Sequence, residues 1–251
     1  LAKPTLSPSK ITTYLACPVK YNLTYKDPRG RWYLRSKSYY SFGTTLHGVL
    51  QRFHDSGDMG VTTTHEAVAA LEESWIDAGY TSQEEMMQAM DEGKAIVTEY
   101  LEALAREPVT SKTLFVEKSM RLDLGDFVLI GRLDRVDEHE DGTLEVVDYK
   151  SGRQTVLPEE VKNDLAMACY QLMLREAYPG RPVQASILAL RTNTRATAAL
   201  TDAEAAEFRS DIVALGNEIL NRDFASLVPR VKVVCEGCDF VELCRKHPEY
   251  A

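Results

Sequence analysis

"GRLDRVDEHEDGTLEVVDYKSG", Gly131 to Gly152, holds two runs of alternating apolar and polar residues separated by the turn signal Asp141-Gly142. Side chains alternate across a strand, so Asp148 and Lys150 project from one face. What Asp134 does depends on the loop. A two-residue Asp141-Gly142 loop sets Asp134 against Tyr149 and turns it away from Asp148. A three-residue loop, Glu140-Asp141-Gly142 with Gly142 in the left-handed region, pairs His139 with Thr143 and sets Asp134 opposite Asp148. Upstream, "FVEKSMRLDLGDF" (Phe115–Phe127) carries a second turn signal, Gly125-Asp126. As a two-residue loop it places Glu117 opposite Asp134. With the three-residue loop downstream, Glu117, Asp134, Asp148 and Lys150 then share a face across three strands.

Carboxylates set side by side repel, and a sheet tolerates them only with compensation. A divalent cation supplies it: Mg²⁺ takes oxygen ligands and keeps several waters, which suits a few acids and a phosphate oxygen. A cation so placed lowers the pKa of a bound water, and Lys150 beside it can orient that water or steady developing negative charge. The plainer alternative is a row of solvated residues on the exposed side of a sheet.

Around this hairpin the pattern is that of one α/β unit with a helical insertion. "LSPSKITTYLACP" (Leu6–Pro18) reads as a helix capped at Ser7 with Pro8 in its first turn, ended by Cys17-Pro18. "FGTTLHGVLQRFHD" (Phe42–Asp55) is an amphipathic helix with Leu46, Val49, Leu50 and Phe53 on its apolar stripe. Helices follow at 65–79 and 83–106, the second opened by a Ser82/Glu85 capping box. Strands are expected at 113–123, 127–138 and 143–150, then a helix over 159–177, a hairpin from "VQASILALRT" and "RATAAL", and a last helix from a Thr201/Glu204 capping box to about 222. The expected division is 1–27 with 223–251 as terminal cysteine-bearing elements, 28–60 as a basic and aromatic segment with the His47 helix, 61–108 as the insertion, and 109–222 as the core.

The chain has 251 residues, 44% hydrophobic and 27% charged, with net charge −9. That total argues against coating nucleic acid generally, not against a local basic path. No run approaches a membrane span and no basic-then-apolar leader opens the chain, so a cytoplasmic protein without membrane association is expected. The first residue is Leu1, as in a trimmed or processed chain. Five cysteines and no leader make a disulfide framework a poor reading. Cys169, in "LAMACYQLML", reads as a core thiol. Three others crowd into "CEGCDFVELC" (Cys235–Cys244), and Cys17 is the remaining candidate for a fourth ligand. Four thiolates suit either zinc or an iron–sulfur cluster. Zinc knuckles close locally, whereas Cys17 stands 218 residues before the trio.

Taken together, "GRLDRVD" and "VVDYKSG" resemble the PD-(D/E)xK nuclease superfamily, in particular its RecB-like branch. "FGTTLHGVL" matches that branch's histidine motif. The resemblance implies a restriction-endonuclease-like mixed sheet flanked by helices. It also implies His47, Asp134 and Asp148 as ligands of Mg²⁺ or Mn²⁺, the Tyr149 carbonyl as a further ligand, and Lys150 as the catalytic lysine. Glu117 matches an acid on the family's first strand, although a salt bridge to a neighbouring arginine explains it equally. His54 has no motif behind it and is read as structural. The family's glutamine helix is met by Tyr170 and Gln171 in "YQLMLREAY", with Gln171 placed to contact nucleotide or orient Lys150. The aromatic often found four residues later is replaced by Arg175. A subset of these nucleases, similar to the AddB nuclease domain and the CRISPR-associated adaptation nuclease, pairs an opening "LSxSxxxxYxxCP" helix with a terminal C-x2-C-x5-C. On that likeness Cys17, Cys235, Cys238 and Cys244 would hold a [4Fe–4S] cluster in an N/C-terminal subdomain.

The expectation is therefore a metal-dependent deoxyribonuclease, an exonuclease on single-stranded ends, working with DNA repair or CRISPR adaptation proteins. Residues 28–54 contain no Asp or Glu and interleave Arg29, Arg31, Arg35 and Lys37 with Trp32, Tyr33, Tyr39 and Tyr40, which suits phosphate tracking and base stacking, with Arg29, Arg31, Trp32 and Arg35 the expected DNA contacts. Tyr170 is a further candidate DNA contact, and Arg191 with Arg195 a weaker second basic site. The alternative is a catalytically idle DNA-end or protein-binding module of the same fold.

Overall fold

Proline, glycine and capping residues set where the chain turns, and two compact units result. The computed structural model describes residues 2–55, 60–107, 110–152 and 154–250. One unit comprises Leu1–Arg35, Arg121–Ile130 and Ala206–Ala251; the other comprises Ser36–Met120 and Gly131–Ala205. Both expected terminal elements, 1–27 and 223–251, fall in the first unit, but its membership also takes in parts of 28–60 and 109–222. The boundary expected at Pro108 lies outside the described residues.

In the first unit, β1 (Thr5–Leu6) pairs in parallel with the start of β3 (Val128–Glu138). Ser7 caps α1 (Pro8–Ala16) by accepting the Lys10 N–H at 3.3 Å. Cys17 is extended, at φ −163°, because Pro18 clashes with a helical predecessor, and α2 (Pro18–Tyr25) starts afresh. The face of these helices packs on α8 (Asp202–Asn221) and the segment beyond it. Tyr14 donates to Glu218 at 2.5 Å, and Tyr21 stacks on Phe224 with centroids 5.5 Å apart. Phe127 is fully buried against Gly216, where an added Cβ would sit 2.2 Å from its ring.

The second unit is a mixed sheet flanked by helices. Along β3, β4 (Leu144–Lys150), β5 (Val183–Ala189) and β6 (Thr194–Ala198), neighbours run antiparallel, parallel and antiparallel; β2 (Lys112–Asp123) pairs with β3. The β3–β4 loop is the three-residue one. His139 N–H donates to Thr143 O at 2.9 Å, Gly142 takes φ +85°, and Arg135 pairs with Val147. Val147 and Tyr149 join a core with Leu188, Leu190 and the apolar faces of α3 (Ser38–His54), α4 (Thr64–Glu73) and α5 (Gln83–Arg106). By alternation, Asp148 and Lys150 leave the opposite face of β4.

Three helical expectations are corrected. The helix expected over 65–79 stops at Glu73, where the Ser74 hydroxyl donates back to the Ala70 carbonyl at 2.6 Å. The Ser82 box is half formed: Ser82 accepts the Glu85 N–H at 3.1 Å, but the Glu85 carboxylate accepts from Thr81 instead of Ser82. The 159–177 helix is two, α6 (Pro158–Lys162) and α7 (Leu165–Ala177), because Asp164 accepts the Ala166 and Met167 N–H groups and begins a new helix. Among the described residues no helix is long and apolar enough to cross a membrane.

Candidate metal site and cysteine cluster

The second unit draws the acids of β2, β3 and β4 toward the histidine of α3. Asp134 Oδ2 accepts the Tyr149 N–H at 2.9 Å, taking the place of a backbone ladder partner where the strands part. The His47 ring meets both residues: Nε2 lies 3.0 Å from the Tyr149 carbonyl oxygen and Nδ1 3.4 Å from Asp134 Oδ2. Glu117 Oε1 lies 3.9 Å from the same Nδ1, and its other oxygen is 2.5 Å from Arg132 Nε. One donor atom each from His47, Glu117 and Asp134 falls within 4.8 Å of the others. Lys150 Nζ is 2.6 Å from Asp148 Oδ2, but off the angle of a hydrogen bond, which leaves that buried oxygen paired by charge alone.

A carbonyl only accepts, so Nε2 carries hydrogen, and in a neutral ring the Nδ1 lone pair then faces two carboxylates. That is tenable only with a proton or a metal ion between them. The titration of the group bears the same mark. Burial pushes Asp148 up to about 6, with Asp134 adding to the rise and Lys150 opposing it. Glu117 is raised by burial and by the charge of Asp134. Burial works against charge on His47, but its hydrogen bond to Asp134 and the charges of Asp134, Asp148 and Glu117 outweigh it and raise the pKa. Carboxylates that would sooner be protonated, around a ring that would sooner be cationic, are a donor set short of positive charge. The residues fit a divalent ion.

Glu117 has a left-handed backbone, φ +48°, uncommon outside glycine and costly for a strand residue. Arg132 does bridge it, so the salt bridge and the place beside His47 hold together. Arg132 was legible as a partner, since it stands two residues before Asp134 and shares its face. A groove of about 650 Å³ opens over the site, lined by Tyr39, Tyr40, His47, Glu117, Arg132 and Lys150 among others. The two tyrosines belong to the basic and aromatic segment read from the sequence, whereas Arg132 is an addition from the structure.

Other expected residues lie elsewhere. Gln171 is 1% exposed, and its Oε1 accepts the Leu200 N–H at 2.9 Å; one turn on, Arg175 donates to the Leu200 carbonyl. The nucleotide-contacting role expected of Gln171 is corrected to holding this segment, and Arg175 stands where it does to complete the grip. Tyr170 crosses over Gly131, where an added Cβ would meet its ring at 2.8 Å; its hydroxyl is raised by burial and by the charges of Asp148 and Asp134. The second basic site is withdrawn: Arg191 is bound to Glu92 and the Ser151 carbonyl, and Arg195 to buried Glu145 at 2.5 Å. His54 is held between Tyr100 and Arg135 at 2.6 and 2.7 Å, a structural place. Cys169 is fully buried, and that burial raises its thiol pKa.

In the first unit, Trp32 is 75% exposed with the Arg31 guanidinium 4.6 Å above its ring. Arg29 is clasped by Asp27 at 2.5 Å, and the Arg35 N–H donates to Asp239 at 3.4 Å. Cys17 Sγ accepts the Lys20 N–H at 3.4 Å from the cap of α2. Cys235 closes a short 3-10 turn, and Cys244 ends α9 (Val241–Cys244). Burial raises the Cys244 thiol to about 11 and the Cys238 thiol as well, and each also feels the charges of Cys17 and Cys235. Among the described residues no three cysteine sulfurs come within 4.8 Å of one another.

A sequence model of the PD-(D/E)XK nuclease superfamily matches residues 5–245. The chain belongs to that superfamily. No curated protein matches it. Solved structures of distant likeness include SSO0001 at 11% identity, covering 97% of this chain and 87% of that one with a TM-score of 0.39. A candidate exonuclease from Eubacterium rectale is 15% identical over 72% of this chain and 83% of its own, with a TM-score of 0.35. VC1899 from Vibrio cholerae is 12% identical over 84% and 53%, with a TM-score of 0.26.

Proposed function

We propose that the chain is a metal-dependent deoxyribonuclease of the RecB-like branch, hydrolysing phosphodiesters at the ends of single DNA strands. The observation that carries this is the convergence of His47, Glu117 and Asp134 within 4.8 Å, next to the Asp148–Lys150 pair. In this reading His47, Asp134, Asp148 and the Tyr149 carbonyl hold Mg²⁺ or Mn²⁺, and Glu117 does so directly or through water. When bound, the ion lowers the pKa of a water and draws charge from the scissile phosphate. Lys150, its ammonium favoured by the Asp148 charge over the opposing effect of burial, orients the attacking water or steadies the phosphorane charge. Arg29, Arg31, Trp32 and Arg35 are the candidate strand contacts of the first unit, and Tyr170 that of the second.

Cys17, Cys235, Cys238 and Cys244 hold a [4Fe–4S] cluster in the same reading. Cys17 stands 218 residues before the trio, which favours the cluster over a locally closing zinc knuckle. The resemblance suggests DNA repair or CRISPR adaptation as the setting. An idle module is disfavoured, because buried neighbouring acids destabilise a fold unless something uses them.

Labelled single strands incubated with Mg²⁺ or Mn²⁺ test the activity. The wild-type chain should shorten them, and Asp148→Ala and Lys150→Ala should each lose at least about a hundredfold in rate, in the range of removing a general acid–base or charge-stabilising group. Cleavage that persists in both variants, or is absent from the metal-loaded wild type, rejects the reading.

A further inference from the structure

One face of α3 lines the groove over the candidate site, and two of its features are unexplained by packing or by hydrolysis. The first is glycine on either side of His47. A Cβ added at Gly48 would meet nothing within 4 Å, and one at Gly43 only the Ser151 hydroxyl, at 3.1 Å. Glycine inside a helix is unfavourable relative to alanine, and no neighbour requires it at Gly48. What the two positions share is bare backbone flanking the imidazole. The second feature is Tyr39 and Tyr40, in the first turn of the same helix. They are 60% and 67% exposed at the groove edge, their rings 4.4 Å apart and tilted by 49°. Arg132 and Lys150 line the groove as well, so aromatic faces and cations adjoin.

We propose that this face of α3 is a bed for one DNA strand. The bare backbone at Gly43 and Gly48 lets the sugar–phosphate chain approach His47 closely, and Tyr39 and Tyr40 stack on unpaired bases, which selects single strands over duplex. Bases inside a duplex already cover each other's faces and have none to offer a tyrosine. The proposal rests on the nuclease reading for which end of the groove holds the scissile phosphate, but its test needs no hydrolysis.

Fluorescence anisotropy without divalent metal, using a labelled single strand, its duplex and an abasic strand of equal length, provides that test. Tyr39→Ala/Tyr40→Ala should bind the single strand at least about fivefold more weakly, the lower bound for a single lost stacking contact. Duplex and abasic strand should be unchanged, and Tyr39→Phe/Tyr40→Phe should bind as the wild type does. Gly48→Leu should weaken the single and abasic strands alike with no fall in unfolding midpoint. Equal losses on abasic and normal strands in the double alanine variant, or undiminished binding by folded Gly48→Leu, overturn the proposal. Strand-selective binding by a protein that never cleaves would reject the nuclease reading and leave this one standing. Cleavage by wild type with unaltered binding in the variants does the reverse.

Discussion

Glu117 combines three burdens in one residue: a left-handed backbone, a carboxyl raised by burial and by Asp134, and a bond to Arg132. Asparagine tolerates that backbone better and carries no charge. Glu117→Asn should therefore raise the thermal midpoint while lowering metal-dependent cleavage at least about tenfold, the usual exchange when a strained site is relaxed. Calorimetry beside a cleavage assay checks both halves, and a drop in stability would remove the argument from strain. His54 carries a different burden. Burial, helped by the Arg135 charge, depresses its pKa from 6.5 to about 2. The folded state thus excludes a proton that the unfolded chain accepts below about 6.5. Its contribution is complete above that pH and is lost progressively as the pH falls toward 2. Unfolding midpoints measured from pH 7 to pH 4 should decline, and His54→Gln, which keeps an acceptor but cannot titrate, should decline less steeply.

Among the elements, the β3–β4 hairpin decides whether there is a site. Its three-residue loop was one of two readings open to the sequence, and the difference is a single residue of slip that turns every side chain to the other face. Deleting His139 while keeping the Glu140-Asp141-Gly142 loop should pair Glu138 with Thr143, set Asp134 against Val147 on the core face, and abolish cleavage while far-UV circular dichroism stays near wild type. Retained activity would mean that β3 slides to recover its old pairing. The acids, lysine and histidine were legible because strand alternation and a helix motif are local rules. Gln171 was misjudged because the backbone it holds, at Leu200, is distant in sequence and unreadable from periodicity. Arg191 and Arg195 looked basic and open for the same reason, their carboxylate partners being supplied by α5 and β4. The break at Asp164 was in plain view as a capping residue inside a helical run.

For the molecule as a whole, the four candidate cluster cysteines come from opposite ends of the chain and belong to one unit. Anaerobically purified wild type should contain about four irons per chain and absorb in the visible, as a four-cysteine [4Fe–4S] site requires. Cys17→Ser should lose both and unfold at lower temperature, since closing so long a loop removes unfolded-chain entropy. Colourless protein containing zinc would replace the cluster with a mononuclear site.

The same unit is assembled from Leu1–Arg35, Arg121–Ile130 and Ala206–Ala251, so its opening helices precede their packing partners by some 170 residues. At ribosomal rates of about 5–20 residues per second that interval is roughly ten to thirty seconds. During it the nascent helices stand without Glu218 and Phe224, their later neighbours, and Cys17 is a solitary thiol. This unit therefore closes only after Ala206–Ala251 is made, and chaperones would meet the open α1–α2 pair first.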